Sequence, residues 1–186
     1  MIKRRSFMAV AAFAALARSL RAQTNAAAED TRSELDTLLP QHRLIGKTRL
    51  TVWGFQVYDA RLWALQGFKP DNFNAQPFAL ELAYLRDFSG QDIAERSIAE
   101  MRRTGTISDD QAKTWIADML RVIPNVKKGD RIMGVHRPLV GAQFLVNGKA
   151  TGEIVDPEFT RLFFGIWLSP KTSEPKMRTA LLQGAN

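Results

Sequence analysis

Asn147-Gly148, lying between the strand-like runs Gln143–Val146 and Ala150–Val155, constrains the fold more than any other pair of residues in the chain. A type I′ turn needs positive φ at both central residues, which Asn tolerates and Gly adopts freely, and its twist matches that of a right-handed strand pair. The dipeptide therefore predicts a two-residue β-hairpin, and a hairpin means antiparallel pairing. A fold made wholly of parallel strands joined by helical crossovers is excluded at once.

The remaining periodicities fill in the order of elements. Residues 44–66 read as two strands broken near Gly54, with Tyr58, Ala60 and Leu62 alternating against Val57, Asp59, Arg61 and Trp63. Residues 78–86 alternate cleanly. Phe78, Leu80, Leu82, Tyr84 and Arg86 fall on one face and Ala79, Glu81, Ala83 and Leu85 on the other. The period then changes. Ser89-Gly90-Gln91-Asp92 resembles a capping box, and Ala94, Ser97, Ile98 and Met101 form a helical stripe behind it. Ser108-Asp109-Asp110-Gln111 opens a second helix, whose apolar face holds Ala112, Trp115, Ile116, Met119 and Ile123 before Pro124 stops it.

Strands return over 131–155. Asp156 is an N-cap with Pro157 at the first helical position, and Phe159, Leu162, Phe163, Ile166 and Trp167 make an aromatic helix face. Ser173 is expected to cap a last helix carrying Met177, Leu181 and Leu182. Strands, a helix pair, strands and a helix pair make an α+β fold, an antiparallel sheet with helices gathered mostly on one face.

Charge is concentrated at the N-terminus. The 186 residues hold 26 Lys+Arg against 19 Asp+Glu, but Lys3, Arg4, Arg5, Arg18 and Arg21 precede every acid. Without those five cations, 21 basic face 19 acidic side chains, so a basic nucleic-acid-binding surface is not expected. Residues 1–22 read instead as an export signal: a cationic start, then an apolar run from Phe7 to Ala17 too short for the roughly 20 residues a membrane span needs. Lys3-Arg4-Arg5-Ser6-Phe7-Met8 resembles the twin-arginine pattern. Cleavage is expected after Ala22 or as late as residue 28, leaving 23–39 as a polar lead-in and 40–186 as one domain in the periplasm, with no stable membrane span.

Most chemistry is ruled out by composition. With no Cys and two distant His, disulfides, thiolate metal sites and a Cys nucleophile are excluded, and no metal or cofactor is expected. Gly141 to Lys149 has the wrong spacing for a phosphate loop, and neither G-x-S-x-G nor H-E-x-x-H occurs. His136, in a strand beside Arg137, reads as a half-exposed strand residue. No catalytic residue is identified.

One constellation has binding chemistry. If the Phe78–Arg86 face meets the helices, the Tyr84 phenol and the Arg86 guanidinium stand at the end of an apolar surface. A carboxylate with a hydrocarbon tail suits that place, because Arg offers a bidentate fork and Tyr a single O–H donor. The plainer alternative is that Arg86 runs past Tyr84 to solvent and pairs with Asp87 or Asp92. Tyr58 faces inward by parity as a contact or as plain core.

In order and spacing, several stretches together resemble the chalcone isomerase-like family in its bacterial exported branch. They are Trp53-Gly54-Phe55-Gln56-Val57-Tyr58-Asp59-Ala60-Arg61-Leu62-Trp63, Tyr84-Leu85-Arg86-Asp87-Phe88-Ser89-Gly90, Glu95-Arg96-Ser97-Ile98, Val146-Asn147-Gly148 and Ile166-Trp167-Leu168-Ser169-Pro170. The resemblance covers about residues 40–183. It implies an open-faced β-sandwich, a curved antiparallel sheet against a helical layer, with a ligand cleft between them. In the family, plant enzymes close a chalcone into a flavanone, and other members are non-catalytic binders of fatty acids held by an Arg and a Tyr. The enzymes' Tyr position falls at about Ile93, their Thr position at about Trp53, and their Arg position near 40–43, where Arg43 is the candidate. The resemblance thus implies no efficient chalcone cyclisation.

The expected function is an exported, non-catalytic binder of a small amphipathic molecule such as a fatty acid, with Arg43, Tyr58, Tyr84 and Arg86 as polar contacts. Two alternatives stand beside it. One is an intramolecular lyase or isomerase acting on an unsaturated ketone. The other is a protein-interaction domain whose cleft is filled by side chains such as Trp53 and Trp63, its partner unknown.

Overall fold

Six strands hydrogen-bond in the order in which the chain makes them: β1 (Arg43–Val52), β2 (Phe55–Ala64), β3 (Phe78–Tyr84), β4 (Arg131–Arg137), β5 (Gly141–Val146) and β6 (Lys149–Ile154), every neighbour antiparallel. The computed structural model describes residues 31–185, so the signal read over residues 1–22 lies outside the described residues. The chain divides between Ser33 and Glu34, and the unit that starts at Glu34 holds every strand and helix of the described residues. Asn147 and Gly148 take φ of 50° and 80°, the turn their types demand. The β1–β2 hairpin closes on Trp53 and Gly54 in nearly the same geometry, φ 49° and 82°.

Register decides which face each side chain takes. Tyr58 lies opposite Tyr84, Ala60 opposite Leu82, and Leu62 opposite Leu80; across the next pair Leu82 meets Ile132 and Leu80 meets Gly134. With a side-chain period of two, all of these face one layer of helices.

That layer holds α2 (Gly90–Met101), α3 (Asp109–Val122), α4 (Pro157–Leu168) and α5 (Pro175–Leu181); a five-residue α1 (Glu34–Leu38) precedes β1. The stripe read on α2 is its buried face: Ala94, Ser97, Ile98 and Met101. Ser108 and Gln111 form a reciprocal capping box on α3. Asp156 accepts from the N–H of Glu158 and of Phe159, and its other oxygen takes the Trp115 indole N–H at 2.9 Å, tying α3 to the start of α4. The last helix departs from expectation. Its N-cap is Glu174 with no side-chain cap bond, because Pro175 occupies the first turn and fixes the start one residue beyond Ser173.

α4 is buried on nearly every side, Phe164 included, since it lies inside the helical layer against the sheet rather than on its surface. The Phe164 ring meets Phe78 edge-on at 4.8 Å and lies over Gly134, where an added Cβ would stand 3.0 Å from its tip. His136 is corrected from half-exposed to buried, at 1% exposure. It stacks on Phe78 at 4.8 Å and donates from Nδ1 to the Gln76 carbonyl at 3.0 Å.

Burial holds the His136 pKa below the ordinary histidine value, with the Gln76 hydrogen bond opposing it. The unfolded chain therefore binds this proton more readily than the native state does. The associated stability is fully present above the unfolded value of about 6.5 and is lost as pH falls below it. Thermal melts from pH 7 to pH 5 are expected to fall more steeply for the wild type than for His136→Asn, whose amide keeps the donor without the titration.

The opposite sheet face has its own small core: Leu35, Leu39, Trp63, Ala79, Met133, Val135 and Leu145. α1 falls within the stretch expected as a polar lead-in, and its Leu35 is wholly buried. Glu81, also wholly buried, receives Arg131 at 2.8 Å and Arg61 at 3.8 Å, and Arg131 reaches on to Glu34 at 2.7 Å.

Candidate functional site

Between the main sheet face and the helices lies a cavity of about 480 Å³, within the usual range for small-molecule pockets. Its floor is Leu50, Tyr58, Leu82, Tyr84 and Ile132; its roof is Ile93, Ser97, Phe163, Ile166, Trp167 and Met177 from α2, α4 and α5. Val52, Trp53, Phe55, Arg86 and Phe88 stand around it as well. Each floor residue follows from the register of the sheet, and the roof comes from the apolar stripes of amphipathic helices.

The polar groups differ in how they are held. Tyr58 accepts the Trp167 indole N–H at 3.0 Å, which fixes its ring and leaves its own proton free to donate. Burial pushes the Tyr58 pKa up to about 12, and burial raises that of Tyr84 further. Both phenols are neutral donors at physiological pH. Tyr84 packs edge-on to Tyr58 at 6.0 Å and beside Phe88 at 5.7 Å, and among the described residues its hydroxyl has no hydrogen-bond partner. The ring is buried, but the hydroxyl is not among the buried unpartnered atoms of the described residues: it opens onto the cavity, where it can donate to a guest.

Arg86 keeps to the rim. It is exposed, and its guanidinium lies 4.9 Å over the Phe55 ring. The pairing with Asp87 or Asp92 is not made: Asp87 accepts from the Lys128 N–H, Asp92 from the Ser89 hydroxyl, and among the described residues no carboxylate pairs with Arg86. Deeper polarity is already spent, because Glu100 is held by Arg96 at 2.6 Å and by Arg103 at 3.7 Å.

Of the four residues read from the sequence, Tyr58, Tyr84 and Arg86 come together around this cavity. Arg43 does not. It opens β1 and donates to the Gly184 carbonyl at 3.0 Å, away from the cavity. The expected filling by Trp53 and Trp63 is corrected too: Trp53 is 94% exposed at the hairpin tip, and Trp63 is buried on the opposite face of the sheet. Sequence reasoning missed Arg96, Glu100 and Trp167 as cavity residues. A polar Ser97 within the α2 stripe was the available signal, since a hydroxyl in an apolar face either bonds back, as Ser97 does to the Ile93 carbonyl at 2.8 Å, or faces a hollow.

What the arrangement offers is a largely apolar slot with two neutral O–H donors and the Arg86 guanidinium at its rim, while Asp92, Arg96, Glu100 and Glu174 also line it. Among the described residues no group of His, Asp and Glu is placed to hold a metal ion, and no helix is long and apolar enough to cross a membrane.

Comparison with known proteins adds three findings. A family model described as chalcone isomerase-like matches residues 44–183. A protein of Haemophilus influenzae described as uncharacterized is 28% identical over 139 residues, covering 74% of this chain; the match spans 66% of that protein, just under two thirds of its length. The crystal structure of an Arabidopsis thaliana fatty-acid binding protein superposes with a TM-score of 0.61 at 12% identity, covering 78% of this chain and 88% of that one, a likeness of fold.

Proposed function

The chain belongs to the chalcone isomerase-like family, and from that premise we propose that it is a non-catalytic binder of a small amphipathic carboxylate, such as a fatty acid. The observation that carries this reading is the Tyr84 hydroxyl, neutral and without a hydrogen-bond partner among the described residues, on an otherwise buried side chain that lines a largely apolar cavity. The tail would lie among Leu82, Ile132 and Phe163. The carboxylate would accept from Tyr84, with Arg86 supplying charge from the rim. The fold shared with a fatty-acid binding protein supports the same reading.

The side chains themselves speak against catalysis. Ile93 and Trp53, where the enzymes' Tyr and Thr fall by resemblance, both line this cavity and bring hydrocarbon and indole to it. Neither phenol near the ligand ionises at neutral pH, so neither serves as a base there. Cyclisation of a chalcone is expected to run at the buffer rate. Localisation outside the cytoplasm is part of the proposal and rests on the pattern of residues 1–22 alone.

Displacement of a fluorescent long-chain fatty acid, together with mass spectrometry of extracted ligand, tests the binding. Tyr84→Phe is expected to weaken it about tenfold, the worth of a buried hydrogen bond to a charged acceptor. Arg86→Ala is expected to weaken it only about threefold, because an exposed ion pair is screened, and added salt should shrink that smaller loss. With the methyl ester as ligand, the Arg86 effect should vanish and the Tyr84→Phe effect should shrink, because the ester carbonyl still accepts from the phenol but carries no charge. A protein that takes up no long-chain acid, or one indifferent to Tyr84→Phe, would sink the reading.

A further inference from the structure

The two β-hairpins closed by primed turns use the same backbone and different residues. Asn147-Gly148 is the pair that such a turn favours; Trp53-Gly54 puts an indole where φ is 49°, a conformation bulky side chains avoid. That indole is also 94% exposed, with Phe55 beside it at 59% and Val52 at 38%. Folding gains little from any of them. A strained, solvated Trp beside a solvated Phe at the tip of a hairpin, on the rim of the ligand cavity, calls for a use outside the fold.

We propose that the Trp53–Phe55 tip docks into the interfacial layer of a phospholipid bilayer and sets the cavity mouth against the lipid from which the ligand is drawn; the loading role rests on the binder reading. Three observations select lipid over another surface. First, residues 50–58, Leu-Thr-Val-Trp-Gly-Phe-Gln-Val-Tyr, carry no charged side chain, so nothing at the tip opposes entry. Second, Arg86 stacks on Phe55 with no carboxylate partner among the described residues, which places a free cation just behind the aromatic tip, at the depth of lipid phosphates. Third, a convex tip of three apolar residues is far too small for a stable protein interface, which takes about 800 Å² per partner, whereas a bilayer interface accepts single Trp and Phe side chains.

The test uses the full chain with vesicles of phosphatidylcholine and phosphatidylglycerol, some carrying brominated acyl chains. Residues 1–30 contain no tryptophan, so quenching by bromine is blind to the N-terminus; Trp63 and Trp115 are buried away from the cavity, Trp167 lines it, and loss of the quenching in Trp53→Asn assigns the signal to the tip. The expected result is a blue shift and quenching in the wild type. Phe55→Ser, which keeps the reporter, should lower partition at least tenfold. Trp53→Asn should lose vesicle sedimentation while melting no lower than the wild type, since Asn suits the turn better.

An unquenched Trp53, or a Phe55→Ser partition equal to wild type, overturns the proposal. So does self-association in vesicle-free buffer that Phe55→Ser abolishes, because the tip would then be a contact between copies. Fatty-acid binding by the wild type, measured without vesicles, separates the two readings. Binding without quenching removes the docking and leaves the binder; quenching without binding leaves the docking and removes the loading role.

Discussion

Replacing Ile132 by Trp is expected to abolish fatty-acid uptake and to leave the fold standing. In a close-packed core, adding that much side chain forces strained rotamers and typically costs about 1–3 kcal/mol or more. Ile132 is different because it sits on the cavity floor, opposite Leu82 on one side and Val146 on the other, so the larger ring grows into unfilled space. A ligand tail displaced from three or four methylenes' worth of that space loses about 0.8 kcal/mol for each, enough to weaken binding by roughly 100-fold. Fluorescent fatty-acid titration gives the affinity, and far-UV circular dichroism during a melt gives the fold. Unchanged affinity in a folded variant would move the ligand to another place on the molecule.

Glu81→Ala is expected to cost about 3 kcal/mol of stability. Glu81 is fully buried between Arg131 and Arg61, and its removal leaves two guanidinium groups beside a desolvated hole. Breaking a buried pair typically costs about 3–5 kcal/mol; the lower end applies because the Arg131 and Arg61 side chains stay 27% and 13% exposed. In a domain of this size that corresponds to about 6–12 °C in melting temperature. Urea unfolding measures it directly. The exposed Arg49–Asp59 pair, closer still at 2.6 Å, is the control, and its disruption should leave the urea midpoint almost where it was, because water screens it. A loss that small at Glu81 would mean that water enters and compensates the arginines.

Most of the sheet was legible because its signals are local. The alternation from Phe78 to Tyr84 and the Asn147-Gly148 turn each fix pairing within a few residues, and the caps at Ser108 and Asp156 fix where helices begin. What escaped depends on which distant segment covers a given side chain. His136 is buried because Phe78 stacks on its ring, Phe164 meets it edge-on, and the segment after the Pro70–Ala75 turn brings the Gln76 carbonyl to its Nδ1 edge, a path no periodicity shows. Arg43 was assigned by register from a resemblance, yet the C-terminal segment folds back to offer it the Gly184 carbonyl. The cavity was beyond reach for a simpler reason. An apolar strand face reads the same whether the helices over it fill the space or stand off from it, so the sequence indicated Tyr84 and Arg86 but not the gap between them and the roof.

Because every strand pairs with its neighbour in sequence, most loops that must close during folding are short and their closure entropy is small. The exception is the β3–β4 pair, which has to form across the whole of α2 and α3. Zippering of β1–β2–β3 and of β4–β5–β6 as separate local units, followed by their slower union along Phe78–Ala83 and Arg131–His136, is the kinetic sequence this topology favours. The cavity floor, shared between Leu82 and Ile132, straddles that seam and is therefore assembled last.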